Sequence, residues 1–307
     1  MRKGILPYFF MPDILRVSRE RKEKEMIRTK NLKKSFKDKT VLENIDLSVE
    51  KGSIVGLLGP SGAGKTTIIK ILTGQLEYDG GSVEVFGKEA SSLSGEDKKR
   101  FGIMMDRFGL YDRLTCGDNL KIFADIYGIN HSKIKETLFE VGLEDAYKKS
   151  AANLSKGMRA RLLLARVFMH SPEIIFLDEP TSGLDPQSMR AIHKIILKKK
   201  EEGCTIFLTT HNMEEANKLC DNIFLLNEGK IVEKGTPEDI CRRYNFNKKI
   251  KLHLTNGRDL ELSQESTDTA REVFELLNNG EISTIHSTEP TLETVFLQLT
   301  GKALEEE

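Results

Sequence analysis

Hydrophobic and polar residues alternate from Met26 (MIRTKNLKKSF) and again through Ile45, Leu47 and Val49. A Lys-Gly turn then leads into an unbroken apolar run, Ser53 to Leu58. Alternation is the pattern of a half-buried strand, and a short run without polar breaks reads as a strand covered on both faces. The glycine-rich stretch GPSGAGKTT follows at once, then the helical run IIKILTG, which stops at Gly74. The order is strand, glycine loop, helix.

Further along, Gly81 to Phe86 alternates as a strand, and 119–127 and 133–141 have the spacing of amphipathic helices. Helix 156–169, strand 174–177, helix 187–200, strand 205–208, helix 213–219 and strand 222–226 come next. Strands that alternate with helices predict a parallel-rich sheet with both faces covered. After Thr236-Pro237 the character changes to strand-like 250–254 and 260–262, a helix at 270–278 and a closing PTLETVFLQLTG. In that last helix Leu292, Val295, Phe296 and Leu299 share one face. The pattern divides the chain into an appendage at 1–25, a main domain at 26–238 with a helical insertion at about 107–170, and a small α+β extension at 239–307.

Composition narrows the function. With 47 Lys+Arg against 47 Asp+Glu the formal net charge is zero, which argues against direct nucleic-acid binding or an affinity that rests on an anionic membrane. Tryptophan is absent and aromatics are only 7%, so no stacking platform for single strands is expected. Cys116, Cys204, Cys220 and Cys241 lack metal-ligand spacing and read as reduced thiols, and the histidines at 131, 170, 193, 253 and 286 read as incidental. Ile5 to Leu15 is broken by Pro7, Pro12 and Asp13, and no other window approaches a membrane span. The appendage is a disordered tail, a start upstream of the true one at Met26, or a surface anchor built on Tyr8, Phe9, Phe10 and the basic run that follows.

The chemistry sits at strand ends. GPSGAGKT (Gly59, Pro60, Ser61, Gly62, Ala63, Gly64, Lys65, Thr66), with Thr67 beside it, fits a phosphate loop between a buried strand and a helix. Glycines let backbone amides converge on phosphate oxygens, Lys65 adds a compact positive charge, and the Thr66 hydroxyl suits magnesium. The run 174–177 delivers two acids, Asp178 and Glu179, at a strand's carboxyl end. Asp178 suits the metal of a MgATP complex, and Glu179 suits the general base that polarises water. Ser155 stands as N-cap of helix 156–169, where the first amides favour an anion.

With DEPTSGLDP at 178–186, TTH at 209–211 and LSKGM at 154–158 added, the sequence resembles the ATP-binding cassette (ABC) ATPases over about residues 26 to 238. The resemblance implies a P-loop NTPase fold of the ABC type, a mixed sheet core with an antiparallel β part. It implies MgATP as cofactor and two cassettes that sandwich two ATPs, the second being a copy or a paralogue. In that sandwich Leu154, Ser155, Lys156, Gly157 and Met158 would face the partner's γ-phosphate. Ser182, Gly183, Leu184 and Asp185 would line the seam, and His211 would steady the phosphate and Glu179. Phe36 holds the place of the aromatic that stacks on adenine, or is a core phenylalanine.

Three positions depart from the family pattern. Lys156 and Met158 replace residues of LSGGQ, and Lys156 either adds charge near the γ-phosphate or points to solvent. Asp106 stands where a metal-binding glutamine is usual. The family resemblance implies a peripheral ATPase on the cytoplasmic face of the membrane, powering a separate integral-membrane permease. The PTLETVFLQLTG tail is similar to that of exporters of drugs, antimicrobial peptides or polysaccharides. Residues 107–150 would dock the permease, with Phe108, Leu110 and Tyr111 as apolar anchors or as part of the insertion's own core. The alternative is a non-transport cassette ATPase that acts on a macromolecule such as the ribosome.

Overall fold

The computed structural model describes residues 25–37, 39–105, 109–246 and 248–301, which divide into two compact units at Lys234/Gly235. The appendage up to residue 24, Asp106 and Phe108 lie outside the described residues. In the first unit β1 (Glu25–Phe36), β2 (Lys39–Glu50), β3 (Ile54–Leu58), α1 (Lys65–Leu72), β4 (Gly80–Val85) and β5 (Lys88–Glu89) come first. Then follow α2 (Gly95–Lys99), β6 (Phe101–Met104), α3 (Cys116–Tyr127), α4 (Ser132–Glu140), α5 (Lys156–Phe168) and β7 (Ile174–Asp178). The unit closes with α6 (Pro186–Glu201), β8 (Thr205–Thr210), α7 (Met213–Leu219), β9 (Asn222–Asn227) and β10 (Lys230–Gly235).

Two sheets form this unit. The first, in order β2-β1-β4-β5, is antiparallel, as the early alternation requires. A buried hydroxyl repairs an irregular stretch of its ladder: Thr29 Oγ1 donates to Ile45 O at 2.8 Å and accepts from Leu47 N at 3.0 Å. The second sheet runs β10-β9-β3-β8-β7-β6, and β9, β3, β8, β7 and β6 pair in parallel. Every residue of β3 and β8 is buried, the mark of central strands covered on both faces. The core is packed around Phe101, Phe176 and Phe207, with Phe176 edge-on to Phe101 at 5.5 Å between centroids.

Strand order positions the site. Leu58 pairs with Thr210 and Asp178 with Thr209, so the carboxyl ends of β3, β8 and β7 lie side by side at one height. Helix starts are set by side-chain caps: Thr115 accepts from Asp118 N, Asp185 from Ser188 N, and Asn212 from Glu215 N. The Thr115 cap explains why α3 begins ahead of the periodic stretch at 119. β10, absent from the sequence expectation, joins β9 through Glu228 and Gly229, both at positive φ (47° and 75°), as a two-residue hairpin turn requires.

The second unit holds α8 (Pro237–Arg243), β11 (Lys249–Leu254), β12 (Asp259–Ser263), α9 (Thr267–Asn278), β13 (Ile282–Ser287) and α10 (Leu292–Thr300). Its sheet is β12-β11-β13, antiparallel throughout. Leu292, Val295 and Phe296 of the anticipated α10 face are buried, while Leu299 is half-buried. That face packs on α8, which with β13 was not anticipated.

Candidate active site

The loop after β3 is shaped by two glycines. A Cβ on Gly59 would sit 2.2 Å from Leu226 O, and Gly64, at φ +111°, caps α1 in a left-handed conformation with Leu42 Cδ2 2.7 Å from where its Cβ would be. This close approach turns the chain so that Lys65 begins α1 with its side chain folded back. Lys65 Nζ donates to Gly59 O at 2.7 Å and Pro60 O at 3.2 Å, and lies 3.1 Å from Glu179 Oε1. Ser61 and Gly62 are exposed at the tip of the loop, Pro60 and Thr67 are half-buried, and Ala63 is buried beneath.

The acids arrive from β7. Thr66 Oγ1 donates to Asp178 Oδ2 at 2.7 Å, and the hydroxyl of Thr209, on β8, donates to the other carboxylate oxygen. Glu179 leaves the strand in the left-handed region (φ +48°), its N–H given to Thr209 O at 3.0 Å. That turn aims its side chain between two cationic or proton-bearing groups: Lys65 on Oε1 and His211 Nδ1 at 3.1 Å from Oε2. Both Glu179 and His211 remain partly open to water (28% and 37% side-chain exposure), which a base acting on a water molecule requires. The Thr66 hydroxyl and the Asp178 carboxylate are hard oxygen donors in mutual contact, the donor chemistry that suits magnesium.

The remaining predicted residues form a second group. Ser155 caps α5, its Oγ accepting from Met158 N at 3.2 Å. Leu154 is buried, Lys156 is exposed, and Met158 is half-buried. Gly157 abuts α6: a Cβ there would meet Ser188 Oγ at 2.1 Å. Ser188 N donates to Asp185 Oδ1 at 2.9 Å, and the bonds from Ser188 hold the Asp185 carboxyl below its usual range. Ser182 N donates to Glu179 O at 3.2 Å, so the stretch Ser182, Gly183, Leu184, Asp185 runs from the base to the α6 cap. Gly157 thus borders the start of α6, the helix that this stretch leads into.

Phe36 is 45% exposed at the end of the β1–β2 hairpin, which excludes the core reading. Val41 and Leu42, near the start of β2, pack on Gly64, so the ring stands at the sheet end that borders the phosphate loop. Leu110 is half-buried and Tyr111 exposed, its backbone gripped at both N and O by the buried Asn119 amide. Sequence reasoning passed over Thr209 as a donor to Asp178. It also passed over a buried cluster of Thr181, Glu215 and His193, which corrects the view of His193 as incidental.

A nucleotide-phosphate loop, a paired Asp-Glu and a histidine, assembled at the carboxyl ends of a parallel sheet, define a phosphate-loop ATPase. The family model "ABC transporter" matches residues 42–182. The chain is 32% identical to the linearmycin resistance ATP-binding protein LnrL of Bacillus subtilis (strain 168), over 91% of this chain and 99% of that protein. It is 37% identical to a fluoroquinolones export ATP-binding protein of Mycobacterium tuberculosis (strain ATCC 25618 / H37Rv), over 86% and 88%. A solved ATP-binding subunit of an ABC transporter superposes with a TM-score of 0.64 at 30% identity, covering 71% of this chain and 93% of that one. The chain belongs to the ABC transporter family, as an ATP-binding, ATP-hydrolysing subunit.

Proposed function

We propose that this subunit powers an exporter of drug-like, antimicrobial-peptide, polysaccharide or lipid-like cargo through a separate integral-membrane permease, held at the cytoplasmic face by that permease. Among the described residues no helix is long and apolar enough to cross a membrane, and the relatives' names, linearmycin resistance, fluoroquinolones export and lantibiotic transport, support the class of cargo. The extension at 239–307 belongs to this reading as an accessory domain that follows the 26–238 cassette in the chain.

The convergence of Lys65, Thr66, Asp178, Glu179 and His211 on one sheet edge carries the mechanism. ATP lies on Gly59 to Thr67 with adenine on Phe36, and Lys65 meets the terminal phosphates. Thr66 and Asp178 would hold magnesium, and Asp106 would be a further oxygen donor in the same role. When bound, the metal neutralises charge on the phosphate oxygens. Glu179 accepts the proton of the attacking water, and His211 orients Glu179 and the phosphate. Leu154 to Met158, with Ser155 at a helix N-terminus, face the γ-phosphate bound to a second cassette, a copy or a paralogue, while Ser182 to Asp185 line the seam. Hydrolysis removes the anion that the Ser155 end binds, and that difference in affinity drives the cycle.

Glu179→Gln tests this reading. Phosphate release should slow by roughly 10²- to 10⁴-fold, with an ATP-bound dimer accumulating on size exclusion. Wild-type release, or a monomer at saturating ATP with permease present, would refute it.

A further inference from the structure

Behind the site lies a carboxylate that the reaction does not use. Glu215, on α7, is 1% exposed. Its Oε1 accepts from the Thr181 hydroxyl at 2.7 Å and lies 3.0 Å from His193 Nε2. The other oxygen, Oε2, is buried and has no hydrogen-bond partner among the described residues. A group kept only for packing is normally satisfied on both oxygens, because a bare buried acceptor is costly. Here the whole polar grip falls on one oxygen, and the elements it joins are those that carry the chemistry.

Thr181 follows Glu179 by two residues and is itself buried. Glu215 follows His211 by four, and its own N–H is given to Asn212 Oδ1 at 2.9 Å, so it belongs to the capped turn that His211 leads into. His193 lies on α6, the helix that Asp185 caps. One carboxylate oxygen therefore ties the segment after the base, the segment after the histidine and the helix after the seam. The Lys65 ammonium, besides its pairing with Glu179, is anchored within its own loop by the Gly59 and Pro60 carbonyls.

From this geometry we infer that Glu215 is a positioning residue for hydrolysis: through Thr181 it fixes the reach between Glu179 and His211, and through His193 it couples that pair to the stretch 182–185. The inference rests on the reading of Glu179 and His211 as the hydrolytic pair. Loss of the Thr181 bond should misplace the base without disturbing the phosphate loop. Misplacement of a catalytic group by about 1 Å lowers rates by roughly 10²-fold.

The test uses the full chain with Thr181→Val, which keeps shape and removes the donor, and Thr181→Ser, which keeps the donor. Steady-state ATP hydrolysis with Thr181→Val should show kcat lowered roughly 10- to 100-fold at an unchanged KM, and Thr181→Ser should recover most of it. Adding Glu215→Gln to Thr181→Val should cost less than its effect alone, since both cut one link. Unchanged kcat in Thr181→Val, equal losses in the Val and Ser variants, or a rise in KM that accounts for the loss would each overturn the proposal. Glu179→Gln assayed in parallel separates the two failures: wild-type turnover there removes the assigned base itself, whereas a slow Glu179→Gln beside a fast Thr181→Val removes only the positioning role.

Discussion

Lys65 and Glu179 form an ion pair across the site, with Nζ 3.1 Å from Oε1, so the phosphate-loop ammonium and the base are engaged with each other. A carboxylate on that ammonium competes with phosphate for the same positive charge. Glu179→Gln should therefore bind ATP more tightly than the wild type, by roughly 2- to 10-fold, given the modest worth of a partly exposed pair. Lys65→Ala should lose nucleotide retention altogether. Equilibrium titration with a fluorescent ATP analogue reads both, and equal affinity for wild type and Glu179→Gln would discard the competition.

Thr209 orients Asp178 by donating to the oxygen that Thr66 does not use. Partners behind a metal ligand commonly matter by 10- to 100-fold in metal affinity. Thr209→Val should shift the magnesium dependence of hydrolysis upward by about 10-fold, and Thr209→Ser much less. Superimposable magnesium curves would show that Asp178 needs no such support.

Ser155 serves two purposes that one substitution can separate. Ser155→Ala removes the α5 cap and should cost about 1 kcal/mol of stability in urea unfolding. Ser155→Asp keeps a capping oxygen but sets a negative charge where a γ-phosphate is to be met. It should unfold like the wild type and yet fail to dimerise with ATP in a Glu179→Gln background. Normal dimerisation by Ser155→Asp would place the phosphate elsewhere.

The thiols supply a pH test. Burial pushes the Cys220 thiol well above its ordinary pKa, and Cys116, Cys204 and Cys241 are raised by the same cause. A pKa raised on folding means that the folded state keeps its proton when the unfolded chain has lost it. The associated stability is complete below the unfolded value, about 8.5, and falls as pH rises beyond it. Unfolding midpoints should decline above that pH, and Cys220→Ala should flatten the decline. A flat wild-type profile from pH 8 to 10 would contradict this.

Much of the catalytic edge was legible because its signals are local. The apolar run of β3, the glycines after it and the run of β7 ending in Asp178 and Glu179 each state a strand and its burial within a few residues. The parallel order that brings them together follows from strands alternating with helices. β10 was not legible, because this edge strand has no fully buried residue and its pattern is weak. β13 is similarly exposed along most of its length. The Thr181–Glu215–His193 cluster left no trace in spacing, since it joins a turn and two helices that meet only through packing. Ser155 as a cap could be read from its place before an amphipathic run, whereas the Gly157–Ser188 abutment could not.

Glu179 occupies a backbone conformation, φ +48°, that a side-chain-free residue would adopt with less strain. For an ordinary residue the left-handed region costs on the order of 1–2 kcal/mol. The backbone thus carries a local cost at the position where its reagent must project, and a glycine there would relieve that cost only by stripping the Lys65 ammonium of its carboxylate and the subunit of its base.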